Sequence, residues 1–117
     1  MRALSPNFFI GTAGWSYPDW NNLVYPNRRP KDFSELSFLS NLFNVVEITS
    51  TYYHPQSTGA SREWLKQAAG NPRFRFTAKL WQKFSLEKVR AGDLGYSQSD
   101  IEIAKRGMRP LLEAGRL

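Results

Sequence analysis

The stretch N-V-V-E-I-T-S-T-Y-Y-H-P, residues 44–55, decides the fold because it places one carboxylate inside an apolar, β-branched run. As a β-strand, this run turns Val46 and Ile48 toward one face and Glu47 toward the other. An ionised carboxylate is tolerated in such a run only if it is paired or faces a wet cavity. We therefore expect a strand that packs on one face and carries polar chemistry on the other.

The composition limits the chain to a single globular domain without cysteine chemistry. It has 117 residues, of which 41% are hydrophobic and 15% aromatic, enough for a core. With no cysteine and one histidine, a disulfide, a thiolate nucleophile and a three-histidine metal site are all excluded within this sequence. We assign no metal or other cofactor to this sequence.

The N-terminal sequence M-R-A-L-S-P-N lacks the apolar core of a signal peptide. No apolar run approaches the roughly 20 residues that span a bilayer. The sequence thus predicts a cytoplasmic protein without a membrane partner.

The net charge of +6 comes from the second half of the chain, where residues 61–117 hold twelve basic and six acidic side chains. A phosphate-bearing partner, including nucleic acid, would suit this excess. The alternative is that most of these cations are solvated surface side chains. The residues assigned to a nucleic-acid contact are Arg62, Lys66, Arg73, Lys83, Lys88 and Arg90.

Hydrophobic periodicity predicts alternating strands and helices. A short buried strand is expected over 7–14, and an amphipathic helix over 32–43, closed by Asn44. A second helix over 59–69 should stop at Gly70-Asn71-Pro72. The segment 73–81 alternates cleanly, with Phe74, Phe76, Ala78 and Leu80 on one face and Arg75, Thr77, Lys79 and Trp81 on the other.

The C-terminal part predicts a long loop over 82–98 and a final helix. We expect this helix to start at Ser99, with Glu102 completing a capping box. Gly107 and Pro110 should bend the helix, and Gly115 should end it. Its buried side is predicted to carry Ile101, Ala104, Met108, Leu111 and Leu112.

The resulting order of strand, helix, strand, helix, strand, helix predicts an α/β fold with parallel strands joined by right-handed crossovers. Three such units cannot close a barrel, and parallel strands need both faces covered. The architecture therefore predicts a truncated or split chain.

Four segments in order resemble the DUF72 (YecE-like) family. They are I-G-T-A-G-W-S-Y at 10–17 with Trp20, Tyr25-Pro26, V-E-I-T-S-T-Y-Y at 46–53, and F-R-F-T-A-K at 74–79. The resemblance implies a partial TIM (β/α) barrel, with 1–117 as its N-terminal part and first three βα units. The sequence departs from the family at Thr49, where asparagine is usual, and at Ser85-Leu86, where threonine-histidine is common.

A TIM barrel carries its chemistry at the carboxyl ends of its strands, so polar residues there are the candidate site. We assign catalysis to Glu47 as base and Lys79 as the cation that binds an anionic oxygen. The alternative for this pair is a buried, purely structural ion pair. The candidate substrate-binding residues are Thr12, Trp15, Tyr17, Thr49, Tyr52, Tyr53, Arg75 and Trp81.

Aromatic residues near these strand ends have two interpretations. The tryptophans of W-S-Y-P-D-W, 15–20, could wall a binding pocket or simply pack. One of Tyr52 and Tyr53 is expected to pack down, and His54 is expected to be a surface residue.

Three functions remain open from the sequence. The first is an enzyme of unassigned reaction on a small-molecule substrate, phosphorylated or nucleic-acid-like. The second is a nucleic-acid-binding module. The third is an inactive, truncated remnant that associates with other chains through an exposed strand edge.

Overall fold

A computed structural model describes residues 8–85 and 95–117. The predicted alternation of strands and helices is confirmed, with short 3₁₀ turns at Pro18–Trp20, Ser50–Tyr52 and Gln82–Phe84. Within these ranges no helix is both long and apolar enough to cross a membrane. In chain order the elements are β1 (Gly11–Ala13), α1 (Glu35–Ser40), β2 (Val45–Ile48), α2 (Thr58–Gln67), β3 (Arg75–Ala78) and α3 (Gln98–Glu113).

The three strands form one parallel sheet in the order β1-β2-β3, as predicted. Its register aligns Ala13 with Glu47 and Glu47 with Thr77. The next row aligns Val46 with Phe76. Because residues in register share a face of a sheet, Glu47 and Thr77 lie on the face opposite to Val46 and Phe76.

The core lies between one face of the sheet and the helices. Val46 and Ile48 of β2 are 1% and 0% exposed, which confirms the predicted burial of this face. Full burial of each such side chain contributes about 1.5–3 kcal/mol. We call the opposite face, with Val45, Glu47, Arg75 and Thr77, the open face. The helix-side core consists of Leu36, Val46, Ile48, Ala68, Phe74, Phe76 and Leu111.

The first strand differs from the prediction of a buried strand over 7–14. It spans three residues, and the preceding Phe8, Phe9 and Ile10 are 66%, 50% and 53% exposed. The reason is that β1 is an edge strand with a neighbour on one side only. Asn44 holds this segment, since its side-chain oxygen accepts from Ile10 N at 2.7 Å and its amide donates to Phe8 O at 2.7 Å.

The third strand is also shorter than predicted, and the burial of its last apolar residues is wrong. Phe74 and Phe76 are buried, but Ala78 is exposed and Leu80 is 66% exposed. The register explains this, because Ala78 pairs with Ile48, the last residue of β2. Beyond that row β2 turns into a 3₁₀ helix, so Leu80 has no neighbouring strand to pack beside.

The first helix is only six residues long, not the predicted 32–43. Ser34 caps its N-terminus by accepting from Ser37 N at 3.1 Å, and Asn41 forms its C-cap. Asn44 was predicted to end this helix. Its side chain instead forms hydrogen bonds with the segment that precedes β1. The second helix agrees with the predicted bounds to within two residues.

The N-cap of the last helix lies two residues before the predicted one. Ser97, not Ser99, is the N-cap, and its capping-box partner is Asp100 rather than Glu102. The predicted stop at Gly115 is confirmed, since this residue has a φ of +68°. Leu112, predicted to be buried, is 56% exposed.

Candidate functional site

The turn after β1 folds back over the end of the strand. Gly14 has a φ of +78°, and its N–H donates to the Glu47 carbonyl at 2.9 Å. A Cβ at Gly14 would lie 2.5 Å from the Tyr17 hydroxyl. That hydroxyl donates to the Ala13 carbonyl. The segment therefore requires glycine both for its backbone angle and for the close approach of Tyr17.

This turn and the residues after β2 enclose a cleft of about 240 Å³. The predicted residues Trp15, Tyr17 and Thr49 meet here. The sequence places Gly14 and Ser50 at the strand ends without assigning them a substrate contact, and it does not assign Ser16 to the site, although each adjoins an assigned residue. We call this the hydroxyl cleft and define it by Gly14, Trp15, Ser16, Tyr17, Thr49 and Ser50.

Trp15 is held from two sides. Its ring packs edge to face against Trp64 of α2, with the ring centroids 5.6 Å apart. Its carbonyl accepts a hydrogen bond from the hydroxyl of the buried Tyr25. Burial is the largest cause that raises the pKa of Tyr25, to about 12, with a smaller contribution from the negative charge of Glu35. Trp15 thus both packs and lines the cleft, combining the two predicted roles.

Thr12 does not line the hydroxyl cleft. The register places it beside Val46, on the helix-packed face. Its hydroxyl donates to the Gly14 carbonyl at 2.7 Å. We infer that Thr12 supports the turn rather than contacts a ligand.

Glu47 and Lys79 lie close together, with Lys79 Nζ 3.9 Å from Glu47 Oε1. Their side chains are 38% and 49% exposed, so the pair is not buried in the part of the chain that the structure describes. An exposed pair of this kind contributes only about 0–1 kcal/mol. Arg75 is not part of it: its guanidinium donates to the Phe74 carbonyl at 3.3 Å.

The two adjacent tyrosines both remain accessible, so the expectation that one packs down is wrong. Tyr52 is 38% exposed and Tyr53 is 66% exposed, and their rings meet edge to face at 5.2 Å. The 3₁₀ turn carries both side chains outward, while Thr51, which precedes them, is buried. His54 is exposed, as expected.

Lys79 and Trp81 line a second cleft, of about 210 Å³, between the end of β3 and α3. The Trp81 indole N–H donates to the Tyr53 carbonyl at 3.2 Å. None of the lining residues is shared with the hydroxyl cleft. We call this the apolar cleft and define its walls by Leu80, Trp81, Phe84, Ala104 and Met108.

The cations assigned to a nucleic-acid contact fall at separate places. Arg62 and Lys66 are exposed on α2. Arg73 precedes β3, whereas Lys83 follows it, at the opposite end of the sheet. Lys83 pairs with Asp100 at 2.9 Å. Lys88 and Arg90 lie outside the described residues.

The Asp100 carboxylate accepts the backbone N–H of Ser97 and the ammonium of Lys83. These bonds lower the pKa of Asp100. Its role is to cap α3, and it lines neither cleft. Within residues 8–85 and 95–117, no three His, Cys, Asp or Glu side chains are grouped to hold a metal ion.

Comparison with known proteins identifies the family. Neither a curated protein nor a solved structure matches the chain. A family profile described as "Protein of unknown function DUF72" matches residues 9–117. This range includes every strand and both clefts, so the chain belongs to the DUF72 family.

Proposed function

We propose that the chain forms the first three βα units of a TIM-barrel enzyme, with the hydroxyl cleft as its substrate site. The observation that carries this proposal is the position of the cleft, at the carboxyl ends of β1 and β2. TIM-barrel enzymes bind their substrates at this end of the strands. The open face, which carries Glu47 and Lys79, would then belong to the barrel interior.

The lining of the hydroxyl cleft favours a polyhydroxylated substrate. Thr49 and Ser50 supply hydroxyls that both donate and accept, and Trp15 and Tyr17 supply aromatic surface. The Ser16 hydroxyl donates to Glu35 Oε1 at 3.1 Å and can therefore only accept from a substrate. Among the residues that line the cleft, none is basic, so a phosphate would need a cation from elsewhere. Lys79, at the end of the neighbouring strand, is the cation we assign to an anionic oxygen of the substrate.

The general base in this proposal is Glu47. Its side chain is 38% exposed, and its carboxylate lies 3.9 Å from the Lys79 ammonium. General bases of this kind contribute roughly 10²–10⁴-fold to the rate. E47Q should keep the fold, because an exposed ion pair stabilises it little, and should lose a comparable factor in turnover.

The binding step can be tested with ribose and ribose 5-phosphate as probes. In amide-resolved NMR of the 117-residue chain, we expect the signals of Gly14, Thr49 and Ser50 to shift on titration. S50A should weaken binding about fivefold to tenfold, as expected for one hydrogen bond. T77V is the matched control, because Thr77 is an exposed hydroxyl residue on the open face that does not line the cleft.

Two results would contradict the proposal. One is a pattern of shifts that spares the hydroxyl cleft at saturating sugar. The other is equal weakening by S50A and T77V, which would indicate a general effect on the fold.

We also propose that the outer edge of β1 is where the chain associates with another chain. The outer edge of β3 is covered, because Phe76 N donates to the Arg116 carbonyl at 2.6 Å. No strand lies beyond β1 in the described part of the chain. An uncovered edge with exposed apolar side chains favours strand pairing between molecules.

A further inference from the structure

A further cavity adjoins the hydroxyl cleft. It has a volume of about 570 Å³ and lies between the segment 31–37 and α2. Trp15 and Ser16 line both cavities, so the two meet at the residues that follow β1. We call the larger cavity the helix groove and define its polar lining by Lys31, Asp32, Glu35, Glu63, Lys66 and Gln67.

The hydroxyl cleft is small for a complete substrate site. Its volume of about 240 Å³ lies below the range of roughly 300–1,000 Å³ that is usual for ligand pockets, whereas the volume of the helix groove lies within that range. A cavity of about 150 Å³ accepts one benzene ring, so the hydroxyl cleft has room for about one sugar ring. A longer substrate would have to continue into the helix groove.

Ser16 connects the two cavities. The residue is exposed, and its hydroxyl donates to Glu35 Oε1 at 3.1 Å. Glu35 lines the helix groove, while Ser16 lines the groove and the hydroxyl cleft. The boundary therefore offers a polar group beside the half-buried Trp15, which suits a sugar, since a sugar ring has hydroxyls at its edge and apolar C–H groups on its faces.

The charges that line the helix groove nearly cancel. Asp32, Glu35 and Glu63 contribute three carboxylates and two lysines contribute two ammonium groups, so the net charge of the lining is −1. A phosphate or a polyanion would find no excess of positive charge here. The groove therefore favours an uncharged ligand group.

Two carboxylates of the groove can still accept hydrogen bonds. Glu35 uses its Oε1 to accept from Ser16, and Glu63 uses its Oε1 to accept from the Gln67 side-chain amide at 3.2 Å. Among the described residues, the Oε2 atom of each carboxylate has no hydrogen-bond partner. An ionised carboxylate only accepts, so its partner must be a donor such as a sugar hydroxyl.

From these features we infer that the substrate is an oligosaccharide of at least two rings, which continues from the hydroxyl cleft into the helix groove. One ring lies in the hydroxyl cleft beside Trp15. The next, uncharged ring lies in the groove and donates its hydroxyls to Glu35 and Glu63. This inference rests on the proposed function, because it extends the same substrate site.

The test compares sugars of one and two rings in amide-resolved NMR of the 117-residue chain. Glucose is the one-ring probe, and maltose and cellobiose are the two-ring probes with an α and a β linkage. We expect glucose to shift the signals of the hydroxyl cleft, such as those of Gly14 and Ser50, and to leave the Gln67 side-chain amide unchanged. At least one disaccharide should also shift the Gln67 amide and bind about tenfold more tightly, as expected for one hydrogen bond to a charged group.

The outcomes separate this inference from the proposed function. If glucose shifts the hydroxyl cleft but both disaccharides leave the Gln67 amide unchanged or bind no more tightly than glucose, the substrate ends at the cleft and only the inference is wrong. If none of the sugars shifts the signals of the hydroxyl cleft, the proposed function is wrong and the inference fails with it.

E63A tests the hydrogen bonds of the second ring. It should weaken disaccharide binding about tenfold and leave glucose binding unchanged. E102A is the matched control, because Glu102 is likewise an exposed helix residue whose Oε1 accepts from a glutamine four residues away, Gln98, at 3.0 Å. Glu102 lines neither cavity, so E102A should leave the binding of both sugars unchanged. Equal weakening of disaccharide binding by E63A and E102A would overturn the inference.

K66W tests occupancy of the groove independently of these hydrogen bonds. Lys66 is an exposed lining residue of α2, so a tryptophan there should fill the groove and reduce disaccharide binding to the level of glucose. R62W places the same side chain on α2 at a residue that does not line the groove, and it should keep the difference between the sugars. Circular dichroism would verify that both variants fold. An undiminished preference for the disaccharide in a folded K66W chain would place the second ring elsewhere and reject the site.

Discussion

Single residues fix the shape of the hydroxyl cleft, and Gly14 is the clearest case. It has a φ of +78°, and a Cβ there would lie 2.5 Å from the Tyr17 hydroxyl. We expect G14A to destabilise the fold by about 2 kcal/mol, because both the backbone angle and the contact become unfavourable. The urea midpoint would measure the loss. G70A is the control, since nothing lies within 4 Å of a Cβ at Gly70; an equal loss there would contradict this account.

The buried side chain of Tyr25 predicts that the stability of the fold depends on pH. Burial raises its pKa from 10.0 to about 12. Below pH 10 the folded and unfolded chains both keep this proton. Between pH 10 and 12 the unfolded chain releases it while the folded chain holds it, so the free energy of unfolding should fall with rising pH by about 2–3 kcal/mol in total.

Y25F isolates this effect because it removes the ionisable hydroxyl. It should cost about 1 kcal/mol at pH 7, through the lost hydrogen bond to the Trp15 carbonyl. Its stability should then decline less steeply than that of the wild type between pH 10 and 12. Urea titrations at several pH values measure both slopes, and parallel slopes would show that another group is responsible.

Among the secondary-structure elements, the N-terminus of α3 allows a direct test of which serine caps the helix. Ser97 accepts from Asp100 N at 3.3 Å, and the Asp100 carboxylate accepts from Ser97 N at 2.8 Å. S97A should therefore destabilise the chain by about 1 kcal/mol. S99A is the matched control and should be near neutral, because Ser99 lies inside the helix, where alanine is favoured. A larger loss of stability for S99A than for S97A would indicate that Ser99 is the N-cap, as the sequence predicted.

The elements that sequence predicts best are those whose pattern is local. The alternation in V-V-E-I and R-F-R-F correctly separates Val46 and Phe76 from Glu47 and Arg75. The cap of α3 is harder, because both S-x-x-D at 97–100 and S-x-x-E at 99–102 fit a capping box. What distinguishes them is tertiary: Lys83, from a distant loop, pairs with Asp100.

Long-range contacts also explain what the sequence could not predict. Gly107 suggests a bend, yet in the fold it allows α3 to approach the loop before α2. A Cβ there would lie 2.1 Å from the Gln56 carbonyl, and the Ser61 hydroxyl donates to the Gly107 carbonyl. Long-range contacts are also the reason that the sequence predicted only some of the residues that line the hydroxyl cleft. Trp15 with Ser16 and Thr49 with Ser50 each follow a strand, and only the pairing of β1 with β2 brings these two segments together.

At the scale of the whole molecule, the two outer strands of the sheet differ in whether their free edge forms hydrogen bonds. Arg116 covers β3, since its carbonyl accepts from Phe76 N and its guanidinium donates to the Phe74 carbonyl at 3.1 Å. At β1 the preceding residues Phe8 and Phe9 are 66% and 50% exposed. In the part of the chain that the structure describes, the outer edge of β1 has no neighbouring strand, and the exposed rings of Phe8 and Phe9 lie beside it in sequence. In other proteins, charged residues at such edges prevent pairing between molecules.

We therefore expect the chain to associate in a concentration-dependent way through β1, as sedimentation velocity would show. F9K should weaken this association at least tenfold, because a lysine beside the edge must be desolvated when a second strand pairs there. L23K makes the same change at a residue that is 85% exposed and lies in a turn outside the sheet, so it should leave association unchanged. If L23K dissociates the chain as strongly as F9K, added positive charge rather than the edge is the cause. A monomeric wild type at all concentrations would reject association through β1 altogether.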